Sequence, residues 1–94
     1  MATYVMLTRL TDQGARTVKE RPGHILEVNA ELEAMGVKIV QQYAVLGRYD
    51  FVNIAEAADD VAIARASLEM GARGSIRIET MSAMSAKDLI GSLA

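Results

Sequence analysis

One stretch of sequence decides the fold: residues 37–56 read VKIVQQYAVLGRYDFVNIAE. Its two halves, 37–46 and 49–56, are rich in the β-branched and aromatic side chains that favour strands. Between them, Gly47-Arg48 predicts a two-residue turn, because glycine supplies the positive φ of a type II′ hairpin. The stretch therefore predicts an antiparallel β-hairpin.

Two further strands and two helices flank the hairpin. Residues 3–9 and 75–81 are short runs of the same strand-forming type. Apolar residues at spacings of three and four predict the helices, the first beginning near Pro22 and the second capped by Asp59 or Asp60. The predicted buried stripes are Ile25, Val28, Leu32 and Met35 in the first helix, and Val61, Ala64, Leu68 and Ala72 in the second.

The element order predicts an α+β, ferredoxin-like fold. In the order β-α-β-β-α-β, right-handed crossovers place both helices on one face of a four-stranded antiparallel sheet. Thr11 is expected to cap a short helical turn over 13–19, and Ser85 to cap a last short helix. A chain of 94 residues has room for one core, so residues 1–94 are expected to form a single domain.

The hairpin also predicts an apolar surface on the sheet. Pairing across Gly47-Arg48 sets Val45 opposite Asp50, Tyr43 opposite Val52 and Ile39 opposite Glu56. This register places on the helix-facing side a set of residues that alternate along the two strands. The opposite face stays half apolar, interrupted by Lys38, Gln42 and Asn53, which is more than monomers normally expose. We therefore expect a homodimer or higher oligomer joined through the sheet. The residues predicted to face the helices are Val37, Ile39, Tyr43, Val45, Val52 and Ile54.

Composition argues against several classes of protein. There is no cysteine, so thiolate chemistry, disulfides and cysteine-ligated metals have no residues to use. Ten basic and twelve acidic residues give a net charge of −2, unlike a nucleic-acid binder. No apolar run approaches the ~20 residues that span a bilayer. We expect a cytoplasmic protein with no metal, no cofactor, no nucleic-acid partner and no membrane partner.

The hairpin sequence Gly47-Arg48-Tyr49-Asp50 resembles the Gly-x-Tyr-Asp motif of the GYD domain family. The similarity continues through residues 36–38 with Tyr43, through 56–60, and through 74–80, so it covers most of the chain. The sequence departs from the family pattern at Ala58 and Ile78, where proline and threonine are common. The resemblance implies a dimeric α+β barrel without an established activity. Related barrels include cofactor-independent monooxygenases, isomerase-like enzymes and stress proteins.

Tyr43, Asp50 and Glu79 are the strongest candidates for chemistry. In the predicted register Tyr43 and Asp50 are diagonal neighbours, and a half-buried carboxylate beside a tyrosine can act as a general base. The structural alternative is that Asp50 bonds to backbone N–H groups and Tyr43 only packs. His24, the one histidine, could exchange protons near neutral pH or simply lie at the surface. Catalytic candidates are Tyr43, Asp50 and His24; ligand-binding candidates are Lys38, Tyr43, Arg48, Tyr49, Asp50 and Glu79.

Three kinds of function remain open on this sequence. The first is a homo-oligomeric module for binding a small molecule, in a cleft between helices and sheet, or for assembly. The second is a small cofactor-independent enzyme of the dimeric-barrel kind, monooxygenase- or isomerase-like, for which a pocket of several hundred cubic ångströms would be expected. The third is an effector-sensing protein with a ligand at subunit junctions.

Overall fold

Four strands form one antiparallel sheet in a computed structural model that describes residues 1–94. They are β1 (Ala2–Leu10), β2 (Lys38–Ala44), β3 (Phe51–Ala57) and β4 (Ile76–Ala83), in the spatial order β2-β3-β1-β4. The helices are α1 (Asp12–Glu20), α2 (His24–Ala34), α3 (Asp60–Ala72) and α4 (Ala86–Leu93). The predicted ferredoxin-like α+β fold is confirmed, with α1 and α4 as full short helices added to the basic order.

The first helix is held against the start of β4 by close backbone contact. Thr11 caps α1, its hydroxyl accepting from the Gly14 N–H at 3.2 Å and donating to the Gly74 carbonyl at 2.8 Å. The Thr11 N–H donates to the Ser75 carbonyl at 3.0 Å. Gly14 is buried on the same carbonyl, so that a Cβ at this position would lie 2.0 Å from the Ser75 oxygen. The glycine is therefore required by packing, and it does not prevent a helix from forming.

The two long helices differ in how well their buried faces were predicted. In α2 the predicted stripe does face the sheet, with Leu32 buried. In α3 the prediction was wrong, because Ile63, Ala66 and Met70 are buried and the predicted stripe lies on the outside. Helix α3 carries two apolar stripes. Periodicity alone cannot choose between them, whereas the crossover from β3 to β4 presents the stripe with the larger Ile63 and Met70 side chains to the sheet.

The hairpin has a longer connection than predicted, and the residues nearest the turn face the opposite side. Its strands end at Ala44 and Phe51, the Val45 N–H donates to the Asp50 carbonyl at 2.9 Å, and Gly47 has a φ of +128°. The pairing of Tyr43 with Val52 was predicted correctly.

A bulge between Ile39 and Gln41 shifts the register, so that Ile39 pairs with Ala55 and not with Glu56. On β3, whose pairing with β1 is regular, Phe51, Asn53 and Ala55 face the helices. Of the residues predicted there, Val37 and Ile39 do face the helices, whereas Tyr43, Val45, Val52 and Ile54 lie on the opposite side.

The last helix extends away from the rest of the molecule. Ser85 caps α4 as predicted, its hydroxyl accepting from the Asp88 N–H at 3.0 Å. None of the residues of α4 is buried. The molecule measures 51 × 28 × 19 Å, although nine-residue β1 is only about 30 Å long. Helix α4 therefore accounts for much of the length. No helix of the structure is long and apolar enough to cross a membrane.

Candidate functional site

A cavity of about 100 Å³ lies between the sheet and helices α1 and α2. Its walls are mostly apolar, and it occupies the cleft in which a small ligand was predicted. It is smaller than the several hundred cubic ångströms expected for an enzyme pocket. The apolar residues around it include Leu10, Val18, Ile25, Val28, Leu32 and Phe51.

A chain of polar side chains lines the sheet side of this cavity. The buried Asn53 amide donates to the Met6 carbonyl at 3.0 Å and to the Thr8 hydroxyl at 3.1 Å. Its oxygen accepts from the Gln42 amide at 2.8 Å, and Gln42 exchanges two hydrogen bonds with Asn29. The network ties β1, β2, β3 and α2 together. The Thr8 hydroxyl accepts a bond but has no acceptor for its own hydrogen within the chain.

Charged residues lie at the mouth of the cavity. His24 bonds to Glu27 at 2.9 Å, and Arg21 contacts the same carboxylate at 3.0 Å. The hydrogen bond from His24, with the charge of Arg21, lowers the pKa of Glu27. Arg73, after α3, makes an ion pair with Glu31 of α2. These contacts hold the ends of the helices over the sheet.

The other side of the sheet, away from the helices, carries an apolar centre. Directly paired residues share a face, so the register defines two rows across all four strands. We call this surface the outer face. Its two central rows are Tyr43, Val52, Leu7 and Glu79, and Gln41, Ile54, Val5 and Met81.

Three predicted ligand-binding residues meet at one end of the outer face. The Tyr49 hydroxyl donates to the Glu79 carboxylate at 2.9 Å, and the Arg48 guanidinium carbon lies 5.9 Å from the centre of the Tyr49 ring. The hydrogen bond to Glu79 raises the pKa of Tyr49, and the charges of Arg48 and Arg9 oppose that shift. We call Arg48, Tyr49 and Glu79 the hairpin-end cluster. It brings together residues 30 positions apart in sequence.

Asp50 joins the hairpin to β1. Its carboxylate accepts from the Leu10 N–H at 2.7 Å, its own N–H donates to the Thr8 carbonyl at 2.9 Å, and its carbonyl accepts from Val45. The aspartate of the Gly-x-Tyr-Asp motif thus supplies hydrogen bonds that extend the sheet where regular pairing ends. These are the backbone bonds of the structural alternative.

The remaining candidates lie apart from one another. Tyr43 is on the outer face with 56% of its surface exposed. Lys38 pairs with Glu56 towards the opposite end of the hairpin strands. His24 lies at the mouth of the cavity, on the helix side of the sheet. Their roles in chemistry or binding stay predictions.

Sequence reasoning missed the network around Asn53. Gln42 and Asn53 were noticed only as polar interruptions of a surface predicted to face outward. The detectable signal was Asn53 between Val52 and Ile54, since a polar residue inside an apolar strand needs buried partners or water. Which of the two applied depended on the facing of β3, which its pairing with β1 decides.

A second depression, the α3–β4 groove, runs between the outer half of α3 and the edge strand β4. At its β1 end the Tyr4 hydroxyl donates to Asp60 at 2.6 Å, a bond that raises the pKa of Tyr4 to about 12 and keeps the phenol neutral. Ser67 and Thr80 share a hydrogen bond at 3.0 Å. The residues along the groove include Ile63, Ala64, Leu68, Ile78, Thr80 and Ser82.

The architecture defines a class, the small α+β proteins of ferredoxin-like fold. Among solved structures, TTHA0845 from Thermus thermophilus superposes with a TM-score of 0.58 at 19% identity, covering 92% of this chain and 96% of the other. FFRP-DM1 superposes with a TM-score of 0.60 at 23% identity, covering 89% of this chain and all of the other. At these identities the similarity concerns the fold alone.

The sequence comparison is more specific. Residues 4–93 match the GYD domain, and this chain belongs to the GYD domain family. It is 50% identical over 94 residues to a Thermus thermophilus protein named glutamine synthetase and cystathionine beta-lyase binding protein. The match covers 99% of each chain. Membership of the family, predicted from the hairpin motif, is confirmed.

Proposed function

We propose that this protein is a homo-oligomeric module that binds metabolic enzymes, with glutamine synthetase and cystathionine β-lyase as its expected partners. The observation that carries the proposal is the 50% identity, along almost the whole of both chains, with a protein named for binding these two enzymes. Close kinship over equal lengths favours similar surfaces as well as a similar fold.

The hairpin-end cluster is the proposed contact with the partner enzyme. Tyrosine and arginine are the side chains that most often dominate binding energy at protein interfaces. Here Arg48 lies against the Tyr49 ring, and Glu79 holds the Tyr49 hydroxyl, so the three groups form a preorganised patch. Preorganisation favours binding because less side-chain entropy is lost on association.

The outer face is the proposed contact between two copies of the chain. Its rows place Val5, Leu7, Val52 and Ile54 at the centre of the sheet, with Tyr43 beside them. Stacking two such faces would remove this apolar surface from water, which is the main favourable term in most protein association. The interface would leave the hairpin-end cluster at its rim.

An enzymatic role is not the function that we propose. His24 lies on the helix side of the sheet, Tyr43 lies on the outer face, and the carboxylate of Asp50 already accepts the Leu10 N–H. A general acid or base has to lie within hydrogen-bond reach of a shared substrate. A small ligand, if the module also senses one, would be expected in the cavity, where the free hydroxyl hydrogen of Thr8 favours a molecule with an acceptor atom.

Binding to the enzymes tests the proposed function directly. Purified protein, labelled at its N-terminus, is expected to bind glutamine synthetase or cystathionine β-lyase from its own source organism in a fluorescence anisotropy titration. Replacing Arg48 and Tyr49 with alanine should weaken binding roughly 30-fold or more if they are hot spots. Lys19→Ala, on exposed α1, is the matched control and should leave the affinity unchanged. Absence of binding to both enzymes by the unaltered protein would contradict the proposal.

The oligomer prediction is separate from partner binding. Ile54→Lys places a charge in the centre of the outer face, so sedimentation velocity should show the assembly falling to the next smaller species. Leu26→Lys changes a residue that is 70% exposed on α2 and should leave the size unchanged. An Ile54→Lys protein that sediments like the unaltered protein would exclude the outer face as an interface.

A further inference from the structure

Two apolar stripes of this chain face water. On α4 the stripe consists of Ala86, Leu89, Ile90 and Leu93, of which Leu93 is 78% exposed. On α3 it consists of Val61, Ala64, Leu68 and Ala72, of which Leu68 is 75% exposed. Both have the spacing of three and four residues that produces one continuous helical face. No other part of the same chain covers either stripe.

Helix α4 needs a surface to pack on. Isolated helices shorter than about 12–15 residues are marginal in water, and α4 has eight. Helix α4 does not find that surface on its own chain, because it follows the end of β4 and none of its residues is buried. The bonds from Asp88 and Leu89 back to Ser85 cap the helix and close its first turn.

The α3–β4 groove has the shape that a helix would fill. Helix α3 forms one wall, with Ala64 and Leu68, and the edge of the sheet forms the floor, with Ile78 and Thr80. No element of the chain forms the second wall. The stripe of α3 from 61 to 72 is about 16 Å long and that of α4 from 86 to 93 is about 10 Å long. A helix of the length of α4 therefore fits along the groove.

We propose that α4 of one copy occupies the α3–β4 groove of a second copy, with the exchange made in both directions. Each copy supplies both an arm and a groove, which is the self-complementarity that a two-fold interface requires. One contact, made twice, covers both stripes on both copies. A stable interface buries roughly 800 Å² on each partner, and a single stripe of four small and medium-sized side chains falls short of that. Two such contacts together bury an area closer to that value.

The exchange uses a different surface from the proposed partner site and the outer face. Val52, Ile54 and the hairpin-end cluster take no part in it. If enzyme binding or the contact between outer faces is disproved, the α4 exchange is therefore unaffected. If the α4 exchange is disproved, the other two proposals are likewise unaffected.

The absence of cysteine in the chain allows a clean cross-linking test. Leu68→Cys and Ile90→Cys change exposed residues, so both variants are expected to fold normally, as circular dichroism can verify. Equal amounts of the two proteins are mixed and oxidised. A non-reducing gel and intact-mass measurement should then show a dimer containing one chain of each kind. Its yield should be at least tenfold higher than from Ile90→Cys mixed with Leu26→Cys, which places the thiol on a different exposed helix.

The double variant Leu68→Cys/Ile90→Cys shows which chain α4 packs on. Exchange predicts cross-linked dimers under oxidation, whereas packing on its own groove would give an internal disulfide at monomer mass and would overturn the proposal. Yields equal to the Leu26→Cys control would overturn it as well. The cross-link should persist in Ile54→Lys protein, because that substitution lies on the outer face.

Discussion

Replacing Gly14 with alanine is expected to lower the free energy of unfolding by about 3 kcal/mol or more, close to the largest effect of a single core change. The added Cβ would lie 2.0 Å from the Ser75 carbonyl oxygen and 3.0 Å from its carbon. That carbonyl cannot move freely, because it accepts from the Thr11 N–H at 3.0 Å. Helix α1 would have to separate from the start of β4.

The matched control is Gly71→Ala in α3. A Cβ at that position meets nothing within 4 Å, and alanine in a helix is favoured over glycine by about 0.5–1 kcal/mol. The two substitutions are chemically identical and should have opposite signs. Urea unfolding followed by circular dichroism measures both. A Gly14→Ala protein as stable as the unaltered one would show that α1 is not held as closely as described.

Replacing Asn53 with leucine is expected to cost about 3 kcal/mol, although leucine is the more hydrophobic residue. The Asn53 side chain makes three hydrogen bonds, to Met6, Thr8 and Gln42, in a site that is 5% exposed. Leucine would remove one hydrogen bond from the Met6 carbonyl and leave one Gln42 N–H without a partner near the apolar cavity. Unpaired buried polar groups cost more than the gain from one apolar side chain.

Gln13→Leu is the control for this substitution. Gln13 is exposed on α1, away from the outer face, so exchanging an amide for leucine there should alter stability by less than about 0.5 kcal/mol. Urea unfolding at matched concentration compares the two proteins. Equal stabilities would mean that the amide network contributes nothing to holding β1, β2 and β3 together.

The candidate site was predictable in its parts and not in its arrangement. Arg48 and Tyr49 could be named because they belong to a recognisable turn motif. Glu79 could be named as a polar residue on a short strand, but its bond to Tyr49 joins residues 30 positions apart. Such a contact depends on β1 lying between β3 and β4. No local pattern encodes that position.

The stripes of α3 also show that a local sequence pattern does not determine tertiary packing. Two apolar faces are present in that helix, and periodicity identifies both without ranking them. The stripe that contains Ile63 and Met70 packs against the sheet, whereas the stripe that contains Leu68 is exposed to water. The exposed stripe, which sequence reasoning took for the core, is the one that the α4 exchange uses.

The sequence by itself determined the element order, the caps at Thr11 and Ser85, the hairpin and the family, because each follows from short-range chemistry along the chain. It narrowed the cap of α3 to Asp59 or Asp60, and Asp59 is the cap in the structure. The tertiary structure alone decided which face of α3 and of the hairpin strands is buried. In β2, the bulge between Ile39 and Gln41 leaves Tyr43 on the outer face. In β3, the regular pairing with β1 sets Asn53 opposite the buried Met6 and so places it inside. Alternation in a strand has a period of two, so one extra residue reverses every side chain beyond it.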